Sequence, residues 1–413
     1  MRALLLLVLV VLAFLLVRWF FPASTAGDAP SATEAPHFLA PPIEASLGVS
    51  EPPASPTPAA QQAPRVSVRG GSEDELALGA ALLHGTPPDV QSAAAGISPG
   101  RALLAEAFAW ALAGEKQLAH SLAAKIDKDE VGGRESALLE AALTGKSAVP
   151  AAAGETGPLL LAMEMGLAAR EAKTSLASGD HALAARRYSE LLVQELEAPW
   201  AADPRTLAQW SAGLAEAQRR NRWSPRGDWP AVELEVREGD TLSSIRKRYL
   251  TEHPGALMCT GLIERANGLK GFLQPGQVLR IPTEPASILV DLPARWALFY
   301  LGEEVVCAWQ VGIGRPGEET PPGDYVVKDK IENPPWMKTG QEMIPFGDPR
   351  NPLGTRWIGW YQDGRKTSYG FHGTGDPTSI GQACSDGCVR FLNRDVEELS
   401  QILPEGAPIR IRG

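Results

Sequence analysis

Cysteine is scarce in this chain of 413 residues: four in all, Cys259, Cys307, Cys384 and Cys388. Four scattered thiols are too few to staple a protein of this size, so its domains must be held by packed cores rather than a disulfide framework. Basic charge is also in short supply. Lys and Arg total 39 against 49 Asp and Glu, a net charge of -10 at pH 7. A nucleic-acid binder needs a concentrated basic face, and that class is excluded. Histidine is rare too, with six in the chain, which leaves few groups able to move protons near neutral pH.

Long apolar runs are missing except at the start. Leu4 to Val17 is unbroken, Arg18 follows, and Trp19-Phe-Phe21 completes a segment close to the roughly 20 residues that span a bilayer. No Lys or Arg occurs from Trp19 to Pro64, whereas Arg2 precedes the run. That asymmetry predicts a cytoplasmic N-terminus with the remainder exported. Residues 1–21 are read as an uncleaved signal-anchor in the inner membrane, with a cleaved signal peptide as the competing reading. Residues 22–71 are rich in Pro, Ala, Ser and Thr. They read as a tether that cannot bury enough apolar surface to order itself.

Residues 72–222 switch to Ala, Leu, Glu and Arg at helical spacing. Gly114 with Ala119, and Gly179 with Ala184 and Tyr188, resemble the turns of tetratricopeptide-type helical hairpins. No 34-residue period emerges, so an α-helical hairpin domain is expected, with a protein partner as one reading of its purpose.

Residues 232–283 read as strand, helix, helix, strand. Gly239-Asp-Thr-Leu242, Ile263-x3-Asn267 and Pro275-Gly276-x2-Leu279-x-Ile281-Pro282 resemble a LysM module. The resemblance implies binding to N-acetylglucosamine-containing glycan, with Asp240, Thr241 and Asn267 as candidates. The plainer alternative for these residues is helix capping, and it is favoured.

From residue 286 to 413 the chain becomes strand-rich, with alternating runs such as Ile288-Leu-Val-Asp-Leu292 and turns of Gly and Pro. Asn393 is expected to cap a late helix, and Pro408-Ile-Arg-Ile411 to form the last strand. Two short stretches carry chemistry: Tyr369-Gly-Phe-His-Gly-Thr374 and Ser385-Asp-Gly-Cys-Val-Arg390. A thiolate is the reactive form of cysteine, and a histidine is its usual base. Together they resemble the active-site signature of the L,D-transpeptidase (YkuD-type) family. Thr320-Pro-Pro-Gly323, Asn333-Pro-Pro-Trp336 and Asn351-Pro-Leu-Gly-Thr-Arg-Trp-Ile358 match further blocks in order.

The resemblance implies a mostly β, sandwich-like catalytic domain that needs no cofactor. Cys388 would be the nucleophile and His372 the general base. Backbone N–H groups of Gly387 and Cys388, with Gly373, would form the oxyanion hole. Arg390 would favour the thiolate or hold a substrate carboxylate, Ser385 and Thr374 would orient the loop, and Tyr369 would touch substrate or pack. Asp386 stands where many members carry a second histidine, and its charge would raise the thiol pKa unless it points away or pairs. A zinc site from Cys384, Asp386, Cys388 and His372 is rejected, because only one Cys pair has ligand spacing.

The whole chain is therefore expected to be multidomain α+β and periplasmic, acting on peptidoglycan strands and stem peptides. A cysteine acyl-enzyme would release D-Ala and pass the acyl group to an amine. The alternatives are an L,D-carboxypeptidase at the same site and a non-catalytic LysM wall-binding scaffold.

Overall fold

A computed structural model describes residues 71–127, 129–146, 156–337 and 342–413. The expected membrane segment (1–21) and the tether up to residue 70 lie outside the described residues. Among the described residues no helix is long and apolar enough to cross a membrane.

The first region is helical: α1 (Glu73–His84), α2 (Pro87–Ala93), α3 (Pro99–Leu112), α4 (Lys116–Ala123), α5 (Gly133–Thr144), α6 (Pro158–Ser178), α7 (His181–Glu197) and α8 (Pro204–Arg220). Local sequence sets the boundaries. Ser72 and Glu75 form a capping box at α1, and Asp203 caps α8 by accepting from the Thr206 N–H at 2.8 Å. Gly114 and Gly179 close the α3–α4 and α6–α7 turns with φ of 92° and 89°, a region L side chains rarely enter. Ala119 and Ala184 beyond those turns are fully buried, which lets the paired helices approach closely.

Next come β1 (Ala231–Glu235), α9 (Leu242–Glu252), α10 (Thr260–Ala266) and β2 (Val278–Pro282), with β1 antiparallel to β2. The remaining chain supplies β3 (Ala286–Asp291), β4 (Trp296–Leu301), β5 (Glu304–Gln310), β6 (Ile313–Gly314), β7 (Gly323–Glu332), β8 (Arg356–Gln362), β9 (Arg365–His372), β10 (Ala383–Ser385), β11 (Val389–Arg390), α11 (Asn393–Ile402) and β12 (Pro408–Arg412). One hydrogen-bonded eight-stranded sheet runs β11-β9-β8-β7-β12-β3-β4-β5, with a separate β6–β10 pair. The sheet curls so that its two ends approach, Trp309 of β5 meeting Phe391 just past β11 with ring centroids 6.0 Å apart. Helix α11 joins the same core through Val396, Leu399 and Ile402.

The regions share their cores. Ile245, Tyr249, Leu262 and Ile263 of the small module belong to the same buried cluster as Ile288, Phe299 and Ile409 of the sheet. At this junction Gly261 lies against the Gln401 carbonyl, where a Cβ would come to 2.4 Å, and Arg265 pairs with Glu398. The helical region closes the other end of the sheet. Edge strand β5 donates its Val305 N–H to Ser189 Oγ at 2.8 Å, and Ser211 Oγ donates to the Ala308 carbonyl at 2.7 Å. Side-chain hydroxyls thus satisfy an edge that would otherwise invite pairing with another strand.

Candidate active site

The site begins with strand register. Phe371 on β9 and Val389 on β11 are fully buried and lie side by side in parallel pairing. Alternation then sends Gly370 and His372, and likewise Cys388 and Arg390, to the opposite face of the sheet. Trp357 on β8, His372 on β9 and Arg390 on β11 form one cross-strand row, and Gly359 and Gly370 begin the next. Cys388, just before β11, adjoins that second row: its Sγ donates to the Ser368 carbonyl of β9 at 3.9 Å, and the Gly370 backbone lies near enough to favour its charged form. Cys388 thus immediately precedes β11, the strand paired in parallel with the one that ends in His372, and continued alternation puts both on the same side. No hydrogen bond between their side chains is formed among the described residues. Looseness of this kind is common before substrate binds.

His372 is almost wholly buried, at 3% exposure. Its Nδ1 lies 2.6 Å from the Gly373 carbonyl oxygen. A carbonyl only accepts, so Nδ1 carries the proton and Nε2 is left as the basic nitrogen. Burial lowers the imidazole pKa to about 4, the Gly373 bond partly opposes this, and Arg390 adds to the lowering. Trp357 stacks beside the ring, with centroids 6.2 Å apart.

Cys388 is partly exposed, yet protein crowds its sulfur, and the resulting desolvation raises its pKa to about 11. The Gly370 backbone and Arg390 act to lower it, and Asp386 to raise it. Arg390 acts in the expected direction, favouring the thiolate, but burial outweighs it. With one pKa near 4 and the other near 11, the resting pair is a neutral thiol and a neutral imidazole. Asp386 points outward into an ion pair with Arg315, both partners about half exposed. Its carboxylate is thereby partly neutralised, though by Arg315 rather than Arg390.

The supporting residues divide. Ser385 Oγ donates to the Cys388 carbonyl at 2.6 Å and accepts the Gly387 N–H at 3.2 Å, closing a tight turn. Gly387 has φ of 100° and packs under the Tyr369 ring, where a Cβ would come to 2.7 Å. Tyr369 is half-buried and shapes this turn. The Gly387 N–H is thus occupied, and the Gly373 N–H donates to the Arg356 carbonyl at 3.3 Å. Of the three expected oxyanion donors, the Cys388 N–H is the one that no acceptor takes among the described residues. Thr374 is buried and turned inward, its Oγ1 donating to the Asp376 carbonyl at 3.2 Å and accepting the Asp376 N–H at 3.0 Å. Arg390 Nη1 lies 3.6 Å from Cys384 Sγ, and its buried Nε has no acceptor. Among the described residues no carboxylate pairs with this guanidinium, so its charge remains available to the site.

All four cysteines are free. Among the described residues no cluster of three or more His, Cys, Asp or Glu is placed to hold a metal.

Two further residues belong to this face: Trp357, which walls the imidazole, and Gly370, whose missing side chain makes room for the Trp357 indole, where a Cβ would come to 2.8 Å. Both sit inside quoted motifs, but their relation to His372 depends on register. Asn393 corrects another expectation. It opens α11 without capping it, and its Oδ1 instead accepts the N–H groups of Thr355 (3.2 Å) and Thr374 (3.1 Å).

The three glycan candidates are occupied within the fold. The Asp240 carboxylate accepts from the Arg237 N–H, Ser244 Oγ and Arg248 Nη1, bonds that hold its pKa at about 2. Thr241 Oγ1 accepts the Ser244 N–H at 3.1 Å and caps α9. Asn267 is buried. It bonds the Arg280 N–H and carbonyl at 2.8 and 2.7 Å, and so ties α10 to β2.

This fold and site define an L,D-transpeptidase catalytic domain behind a LysM domain. Residues 285–411 match the YkuD family, described as the L,D-transpeptidase catalytic domain, and residues 234–282 match the LysM domain. A Bacillus licheniformis protein named as an L,D-transpeptidase YkuD is 33% identical over 184 residues, covering 43% of this chain and 96% of that protein. The Bacillus subtilis protein of the same name is 30% identical over 183 residues, with the same coverage of 43% and 96%. A second B. subtilis relative, named as L,D-transpeptidase YqjB, is 35% identical over 132 residues, covering 32% of this chain and 73% of its own. The chain belongs to the YkuD L,D-transpeptidase family.

Proposed function

We propose that this protein is an exported peptidoglycan-remodelling L,D-transpeptidase with Cys388 as nucleophile and His372 as general base. The observation that carries the reading is the placement of both groups on one sheet face, with His372 Nε2 left free by the Nδ1–Gly373 bond. Substrate entering between them supplies what the resting site lacks, because the thiol loses its proton only as the new bond forms. Cys388 Sγ attacks the carbonyl between the L-centre of the stem diamino acid and D-Ala, and its proton passes to Nε2. The Cys388 N–H, which no acceptor takes among the described residues, stabilises the oxyanion. The C–N bond then breaks, the imidazolium returns the proton to the departing amine, and D-Ala leaves a thioester behind. An amine from a neighbouring stem attacks the thioester, restoring the thiol and leaving an amide cross-link. If water takes the amine's place, the same site is an L,D-carboxypeptidase.

Arg390, with no carboxylate partner among the described residues, is suited to a substrate carboxylate. The LysM domain would hold the catalyst on glycan strands and raise local substrate concentration without tight affinity. Residues 1–21 would anchor the chain in the inner membrane, with the described residues in the periplasm.

The test is intact mass of the full-length protein after exposure to a disaccharide tetrapeptide and, separately, to a carbapenem, with Cys388→Ala beside it. Adducts and D-Ala release that vanish in the variant are expected. Dimers distinguish amine transfer from hydrolysis. No adduct and no turnover, with glycan binding intact, would leave the wall-binding scaffold as the function.

A further inference from the structure

The histidine's orientation depends on one short contact, the Nδ1–H bond to the Gly373 carbonyl. Gly373 lies just past β9 with its N–H on the Arg356 carbonyl of β8, while the direction of its own carbonyl is set by how the Gly373–Thr374 peptide is turned. Asn393 holds that peptide from the first residue of α11. Its Oδ1 accepts the Thr374 N–H, the other end of the same peptide unit, and the Thr355 N–H just before β8. A single amide oxygen thus joins the β8 approach, the β9 exit and the helix.

The fit around this oxygen is close. A Cβ at Gly373 would lie 2.1 Å from Asn393 Oδ1, and a Cβ at Gly354 would lie 2.2 Å from it. Gly354 also has φ of 62°. The helix in turn is anchored in the core by Val396, Leu399 and Ile402, so the oxygen has a rigid mount.

We infer that Asn393 is a positioning residue for the proposed base, fixing the Gly373 carbonyl that selects the Nδ1–H tautomer of His372. The inference rests on the reading of His372 as the base. Asn393 touches no reacting atom and acts through the Gly373–Thr374 backbone. Losing the oxygen frees two N–H donors and lets the turn relax, and the imidazole loses the acceptor that keeps Nε2 unprotonated.

The test uses the full-length protein and a carbapenem as acylating probe, with 15N NMR of the His372 ring as the second readout. Asn393→Ala is expected to slow acylation about 10- to 100-fold, the scale of a small misplacement of a catalytic group. It should also mix the two tautomers. Asn393→Asp keeps an oxygen in the same place and should return the rate to within about threefold of wild type. If Asn393→Ala does not unfold cooperatively, Asn393→Ser carries the test, since its short hydroxyl cannot span both donors while serine suits a helix start. Wild-type acylation, an unchanged tautomer, or failure of the Asp variant to rescue would each overturn the inference. His372→Gln and Cys388→Ala separate the two levels: wild-type acylation there would sink the underlying reading itself.

Discussion

Trp357 and His372 lie ring beside ring on neighbouring strands, 6.2 Å between centroids and 19° from parallel. The indole forms one wall of the imidazole's dry surroundings, and dryness is what depresses the histidine pKa to about 4. The proposed base therefore stays unprotonated well below the usual histidine range.

Trp357→Ala opens that wall to water. The acidic limb of carbapenem acylation should move up toward pH 6.5, with a loss of roughly tenfold in rate near neutrality. The same pKa sets a stability slope. The unfolded chain takes up a proton near 6.5, whereas the native protein does so only near 4, so stability is full above pH 6.5 and falls as pH drops through 4. His372→Gln should remove about 2–3 kcal/mol of that fall, read from denaturant midpoints at pH 7 and pH 4. An unchanged slope would show that His372 is not buried in solution.

The Cys388 thiol, with its pKa pushed up to about 11, should resist small alkylating agents at pH 7.5. Relative to free cysteine, iodoacetamide should react roughly a hundredfold more slowly, the rate climbing with pH toward 11. Asp386→Asn should change this by less than about threefold, because Arg315 already pairs with the carboxylate in a solvent-screened position. Fast alkylation at neutral pH would mean a preformed thiolate and would refute the neutral resting pair.

Arg222 is 5% exposed and pairs with both Glu284 and Glu304, joining the helical region to the start and edge of the sheet. Removing it strands two partly buried carboxylates. Arg222→Ala should destabilise the protein by roughly 2–3 kcal/mol, below the full cost of a broken buried pair because both glutamates keep some water. Thermal unfolding checks this, and a shift under a degree would mean that the regions hold together without this ion-pair cluster.

The motifs of the proposed site are legible in the chain because each of them is local. His372 and Cys388 sit in glycine-containing motifs whose residue types and order are themselves the signal. The strand–helix–helix–strand order of residues 232–283 was legible for a similar reason, since caps and turn residues mark each boundary. Less legible was anything set by two distant segments meeting. Asn393 reads as a helix cap from its neighbours, yet its oxygen is spent on Thr355 and Thr374. The Gly387 N–H reads as an oxyanion donor, yet Ser385 Oγ takes it. For Asp240 and Asn267 the favoured reading is a structural one, and both are taken up by bonds inside the module.

By itself the sequence determined the succession of a helical region, a LysM domain and a strand-rich YkuD domain, and the motifs that mark the family. Those follow from periodicity, capping and motif spacing, all short-range properties of the chain. Tertiary structure alone decided that the helical region closes the sheet's β5 edge, that Asp386 answers to Arg315, and that the resting thiol and imidazole are both neutral. Each of these depends on how much water and which charges surround a group after folding. Water access and charge placement are set by the whole packed molecule rather than by any one stretch of it.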